Sequence, residues 1–149
     1  MALGLILLVT GCSTGGEAKP KSDASAVFTA YVLEKSTQIS DSWDTSVQPL
    51  LETADPSSEE WKSDFISALT VFSIVTASTY DGVPLDVGKL GAESEKFKLA
   101  LTGLTQGSTG AWMAVQNDDV ADLGNSMDLI KISFEELTAV VSTIGEARG

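Results

Sequence analysis

The sequence predicts an all-α fold, an antiparallel up-down four-helix bundle over residues 24–149. Two observations predict it. Apolar residues recur at steps of three and four along four separate stretches, the spacing that keeps them on one face of a helix. Between the stretches stand short clusters of proline, glycine, asparagine and aspartate, which end one helix and begin the next. Four apolar stripes joined by short turns bury one another most economically by running up, down, up and down.

The first helix is expected over about 24–54. Phe28, Val32, Ile39, Trp43, Val47 and Leu50 mark its face. Lys35 falls on that stripe, where its stem can lie on apolar surface while the ammonium reaches water. Pro49 should kink or loosen the last turn, because it has no N–H and its ring crowds the preceding turn. At 31 residues this helix would be roughly 46 Å long.

Asp55-Pro56-Ser57-Ser58-Glu59-Glu60 is a stop followed by a start. Ser57 and Glu60 have the spacing of a capping box. The second helix is expected over about 57–79, with Trp61, Phe65, Ala68, Phe72 and Val75 on its face. Within it, Thr70–Thr76 is rich in β-branched residues, a strand-like composition. The longer 61–79 pattern keeps the helical period and decides for helix.

Asp81-Gly82-Val83-Pro84 reads as a turn that continues through Gly88. The third helix is expected over about 89–116, on Phe97, Leu101, Leu104, Ser108, Ala111 and Val115. Gly103, Gly107 and Gly110 weaken it by about 1 kcal/mol each against alanine. They imply either a break near 106–110 or a close crossing with another helix. Asn117-Asp118-Asp119 then reads as a cap with acids in the first turn. The fourth helix, about 118–145, carries the clearest stripe: Val120, Leu123, Met127, Ile130, Phe134, Leu137, Val141 and Ile144.

Charge bounds the partners. Residues 24–149 hold 19 acidic and 7 basic side chains, so the net −12 of the chain sits on the predicted bundle. Such a surface disfavours nucleic acid and anionic lipid headgroups. It suits solubility and a basic partner or cations.

The residue inventory argues against catalysis. There is no histidine, which removes histidine triads, histidine metal ligands and the usual neutral-pH proton shuttle. No lysine follows a serine at the Ser-x-x-Lys spacing. The glycine-rich stretch 103–110 lacks the Gly-Lys-Ser/Thr ending of a phosphate loop. Asp118, Asp119 and Asp122 are the weak candidates for holding a hard cation, although placement at a helix's positive end explains them as well. Asp41 with Asp44, and Glu60 with Asp64, read as solvated faces. Trp43, Trp61 and Trp112 fit helix faces and core packing, with a pocket or partner surface as the sharper role. No enzyme activity, cofactor or metal is expected.

Residues 1–11 are apolar apart from Thr10 and uncharged. A membrane-spanning helix needs about 20 such residues, and polar sequence begins at Ser13, so the length suits the apolar region of a secretory signal. Val9-Thr10-Gly11-Cys12 follows directly. This motif resembles the lipobox of bacterial lipoproteins, although Met1-Ala2-Leu3 lacks the basic residues that open such signals. The resemblance covers about 12 residues and implies three things. Cleavage falls between Gly11 and Cys12. Cys12 carries a diacylglyceryl group with palmitate-type acyl chains. The chain is then a membrane-anchored, extracytoplasmic lipoprotein of the cell envelope. Each buried methylene contributes about 0.8 kcal/mol, so two acyl chains hold firmly where one holds reversibly. Cys12 is the only cysteine, so the lipid leaves none for a disulfide and the domain must rest on apolar packing.

Residues 12–23 are small, polar and rich in glycine and proline, and read as a flexible tether. As a coil it spans roughly 17–20 Å. The expected function is a non-enzymatic interaction or scaffold domain held at the membrane, its partner an unknown envelope protein. The alternative is a small-molecule binding or sensing module, with its pocket between helices where the third helix is built of small residues.

Overall fold

The computed structural model describes residues 23–146. The expected signal segment, the tether up to residue 22 and Cys12 lie outside the described residues.

Asp23 starts the first helix as its cap, accepting the Ser25 N–H at 2.9 Å. Helix α1 runs Ala24–Ser42. A π-helical turn, Trp43–Val47, joins it without a gap to the short α2, Gln48–Glu52. Then come α3, Glu59–Asp81, α4, Gly91–Gln116, and α5, Val120–Glu146. The described residues contain no strand, so Thr70–Thr76 is helical as the wider period requires. α4 is unbroken through 106–110.

Local chemistry moves several boundaries from their expected places. The start of α3 is set by Ser58, not by a Ser57–Glu60 capping box: the Ser58 hydroxyl accepts the Trp61 N–H at 3.3 Å. Ser57 is taken up one step earlier, with its N–H and hydroxyl both on the Asp55 carboxylate, at 3.2 and 2.6 Å. Asn117 ends α4 rather than opening α5. The cap of α5 is Asp119, whose carboxylate accepts the Asp122 N–H at 3.0 Å. Between them Asp118 takes φ +54°, the left-handed conformation that turns the chain from one helix to the next.

The core follows the predicted faces closely. Phe28, Val32, Ile39 and Val47 from the first rod, Phe65 and Phe72 from α3, and Phe97, Leu101, Leu104 and Ala111 from α4 are fully buried. The fourth stripe is rotated slightly from expectation. Ser133 and Val140 are buried, whereas Phe134 and Val141 are only partly so, and Val120 is 79% exposed.

The rotation has a cause in the third helix. α4 packs closely against α3 and α5, and its glycines make the α5 contact. A Cβ on Gly107 would stand 2.6 Å from Ile130 Cγ1 and 3.0 Å from the Ser126 carbonyl oxygen. Gly103 faces Ser133 and Gly110 faces Ser126 in the same way. Small residues let the two backbones approach, so α5 turns its serines toward α4. On the other side, Thr76 of α3 and Thr105 of α4 meet through their hydroxyls at 2.7 Å.

α1 meets its neighbours through rings, which hold helices further apart. Phe97 takes the edges of Phe28 and Tyr31 at 6.3 and 6.4 Å between ring centres. Tyr31 donates its hydroxyl to the Thr79 carbonyl near the end of α3. Burial, and then the Glu34 charge, push the Tyr31 phenol above its usual range. At the other end of the molecule Trp61 donates its indole N–H to the Leu50 carbonyl at 2.8 Å, pinning α2 to α3. Lys62 bridges Asp118 at 2.6 Å and Glu59 at 3.1 Å. Its ammonium is held above the ordinary lysine range, chiefly by the hydrogen bond to Asp118 and then by that to Glu59.

Among the described residues one buried side-chain polar atom is left over. Ser36, 8% exposed on α1, has an Oγ with no hydrogen-bond partner. A buried unpaired hydroxyl costs about 1–3 kcal/mol, and alanine is the better helix former. Ser36→Ala should therefore raise the unfolding free energy by about 1 kcal/mol, read as a higher urea midpoint at unchanged slope. A lower midpoint would mean that the hydroxyl is satisfied.

Candidate functional site

An open concave surface with an aromatic wall lies where the first helix changes its winding. The cause is Pro49. It cannot donate to the Thr45 carbonyl four residues back, and its ring crowds that carbonyl. The chain takes a wide turn just before it, in which the Gln48 N–H reaches back five residues to the Trp43 carbonyl. Such π turns insert one residue into a helix and are frequent at functional sites. The expected kink at Pro49 is thus a π turn displaced toward Trp43, and α2 then begins with proline in its first turn.

This turn sets Trp43 against α3 and α5. Its indole meets Phe72 of α3 and Phe134 of α5 edge-on, with ring centres 5.1 and 5.5 Å away. Phe72 and Phe134 touch each other at 5.9 Å. Phe72 is fully buried, while Trp43 and Phe134 keep part of their surface in solvent. The indole N–H donates to Gln48 Oε1 at 3.3 Å, and the Gln48 amide donates to Glu52 at 3.4 Å.

Outward from these rings is a hollow of ≈ 560 Å³ between the π turn, α2 and α5. Leu51, Met127 and Ile130 add aliphatic wall, and Lys131 and Glu135 stand on its exposed rim. Neither rim charge is in an ion pair among the described residues. Apolar floor and polar rim are the anatomy of an interaction surface. The chemistry these side chains offer is apolar and aromatic contact beside one cation and one carboxylate.

The other sequence candidates are dispersed. Asp118 is committed to Lys62 and Asp119 caps α5. Asp119 and Asp122 share a shallow surface hollow with Asn117 and Asn125. Among the described residues no group of three or more histidine, cysteine or acidic side chains is placed to hold a metal ion. The room left at Gly103, Gly107 and Gly110 is taken up by α5, and surface hollows of ≈ 270 Å³ beside Leu101, Thr105 and Gln106 and of ≈ 360 Å³ beside Gly110, Met113 and Ala114 border this crossing. Trp61 stacks on Phe65 at 4.8 Å and is 8% exposed, a core residue. Trp112 packs against the core from its edge.

Sequence reasoning singles out Trp43 but misses Gln48, Leu51, Lys131 and Glu135 as its companions. The available signal is Pro49, six residues after the tryptophan, which forces the wide turn. Lys131 and Glu135 sit on the polar side of the α5 stripe and carry no signal of their own.

Among the described residues no helix is long and apolar enough to cross a membrane. Comparisons with family models, with curated proteins and with solved structures gave no match.

Proposed function

We propose that the chain is a lipid-anchored lipoprotein of the cell envelope whose up-down-up-down helical bundle serves as a non-enzymatic interaction or scaffold domain. The observation that carries the anchor is the Val9-Thr10-Gly11-Cys12 motif set directly after an apolar run too short to span a bilayer. The tether ends where the Asp23 cap begins, so the domain would stand off the membrane without lying on it. Its net charge opposes contact with an anionic surface.

Two sets of contacts support the antiparallel bundle. Tyr31, early in α1, reaches Thr79, late in α3. Lys62, early in α3, reaches Asp118, just past the end of α4. The hollow under Trp43 supports an interaction role over catalysis.

Fractionation tests the anchor. Wild-type protein made in a lipoprotein-processing bacterium should stay with the membranes through a high-salt wash and leave them in detergent. Full-length Cys12→Ser, which cannot be lipidated or processed at that site, should behave differently on the same gradient. Wild type found in the soluble fraction would overturn the anchor.

The hollow's volume also fits the second reading, a small-molecule binding module, since ligand pockets run about 300–1,000 Å³. On this reading the hollow under Trp43 is a candidate beside the one expected along the small-residue stretch of α4, where Gly110, Met113 and Ala114 line a hollow of ≈ 360 Å³.

A further inference from the structure

We infer that the hollow beneath Trp43 is the docking groove for a basic segment of a partner protein, one that offers an apolar anchor side chain flanked by lysine or arginine. The inference rests on the interaction reading above and names the partner's chemistry.

Shape and composition come first. The hollow is open to solvent rather than enclosed, as suits a chain laid across it more than a small molecule swallowed by it. Its walls are Trp43, Phe134, Met127, Leu51 and Ile130. Aromatic residues and methionine are the types enriched at the centre of protein interfaces, and tryptophan is prominent among residues that dominate binding energy. The rings are held in place before any partner arrives, because Trp43 rests on the fully buried Phe72. An anchor that fits such a preformed surface loses little to reorganisation.

Charge then selects the partner. Glu135 lines the hollow from α5, and Glu52, outside the lining, accepts a hydrogen bond from Gln48, which is part of it. Both side chains face solvent. Among the described residues Lys131 is the one cation lining the hollow. It sits in the field of a chain carrying net −12. That field raises the encounter rate of a basic segment and repels an acidic one. Lys131 works against the same partner locally, and this gives the inference a second sign to test.

The experiment uses the full chain in phosphatidylcholine nanodiscs, with empty nanodiscs subtracted. The probe is a fluorescein-labelled amphipathic Leu/Lys helical peptide, compared with its Leu/Glu counterpart, read by anisotropy. The Leu/Lys peptide should bind saturably and the Leu/Glu peptide should not. Glu135→Lys should weaken binding about tenfold, a change of the size expected for a close charge pair. Lys131→Gln should tighten it. Glu95→Lys makes the same charge change on α4, outside this hollow, and should leave affinity within about twofold. Each of the three variants changes an exposed side chain, so folding is preserved, and an unchanged circular dichroism melt verifies that.

Equal loss on Glu95→Lys and Glu135→Lys would reduce the effect to bulk charge and overturn the groove. Equal affinity for the two peptides would overturn the basic partner. If the peptide behaves as expected while Cys12 is unmodified, the anchor fails alone. If Cys12 is lipidated and no peptide binds, the docking inference fails alone.

Discussion

Phe72→Ala should lower the unfolding free energy by about 3–5 kcal/mol, the cost of truncating a fully buried ring. Phe72 is 0% exposed and sits between Trp43 and Phe134. Its loss removes transfer energy, opens a cavity and dissolves two aromatic pairs worth about 0.5–1.5 kcal/mol each beyond area. Domains of this kind are stable by about 5–15 kcal/mol in total, so about a fifth or more of the margin goes. Urea unfolding followed by circular dichroism measures it. A second readout is specific to the site: Trp43 loses its support, so tryptophan emission should shift to the red in the folded state. A loss below about 1 kcal/mol would mean that Phe72 is not the buried support of Trp43.

Gly107→Val should cost about 2–3 kcal/mol, because overpacking a tight contact forces backbone to move. The neighbours a Cβ meets include the Ser126 carbonyl oxygen at 3.0 Å and the Ile130 nitrogen at 3.2 Å. These are backbone atoms, which cannot rotate away like the end of a flexible side chain. Gly124, within α5, faces open space: a Cβ there would meet nothing within 4 Å. Gly124→Ala should therefore gain up to about 1 kcal/mol, the difference in helix propensity. The pair separates the two roles of glycine by sign. If Gly107→Val were neutral, the close crossing of α4 and α5 would be wrong.

Periodicity makes the helices readable because each buries one broad face. Phe97, Leu101, Leu104, Ser108, Ala111 and Val115 share the expected inner face of the third helix, and all are buried. Lys35 on the α1 stripe does what a long amphipathic side chain should: its ammonium reaches Glu34 and Gln38 at 3.2 and 2.9 Å. Local sequence misleads where two neighbouring residues compete for one role. Ser57 and Ser58 are chemically equivalent caps, and only the Asp55 contact assigns the first to the loop. Asn117 and Asp119 compete likewise, and the left-handed Asp118 between them decides. Gly103, Gly107 and Gly110 fit a break and a crossing equally well, because the partner helix is absent from the local sequence.

The candidate site is less readable than the fold. Trp43 lies on the apolar stripe expected for the first helix, like any core residue. Its exposure follows from Pro49, six residues on, and from what α5 places opposite. A hollow assembled from three elements has no motif in any one of them. The anchor is the reverse case: Cys12 is read entirely from its local sequence, and it lies outside the described residues.

Intact-mass analysis of the full chain expressed in a lipoprotein-processing bacterium tests the central claim most directly. The expected product is a chain that begins at Cys12 and carries a diacylglyceryl adduct there, with both features lost in Cys12→Ser. An adduct-free Cys12, or a chain still joined to Gly11, would contradict the lipoprotein assignment.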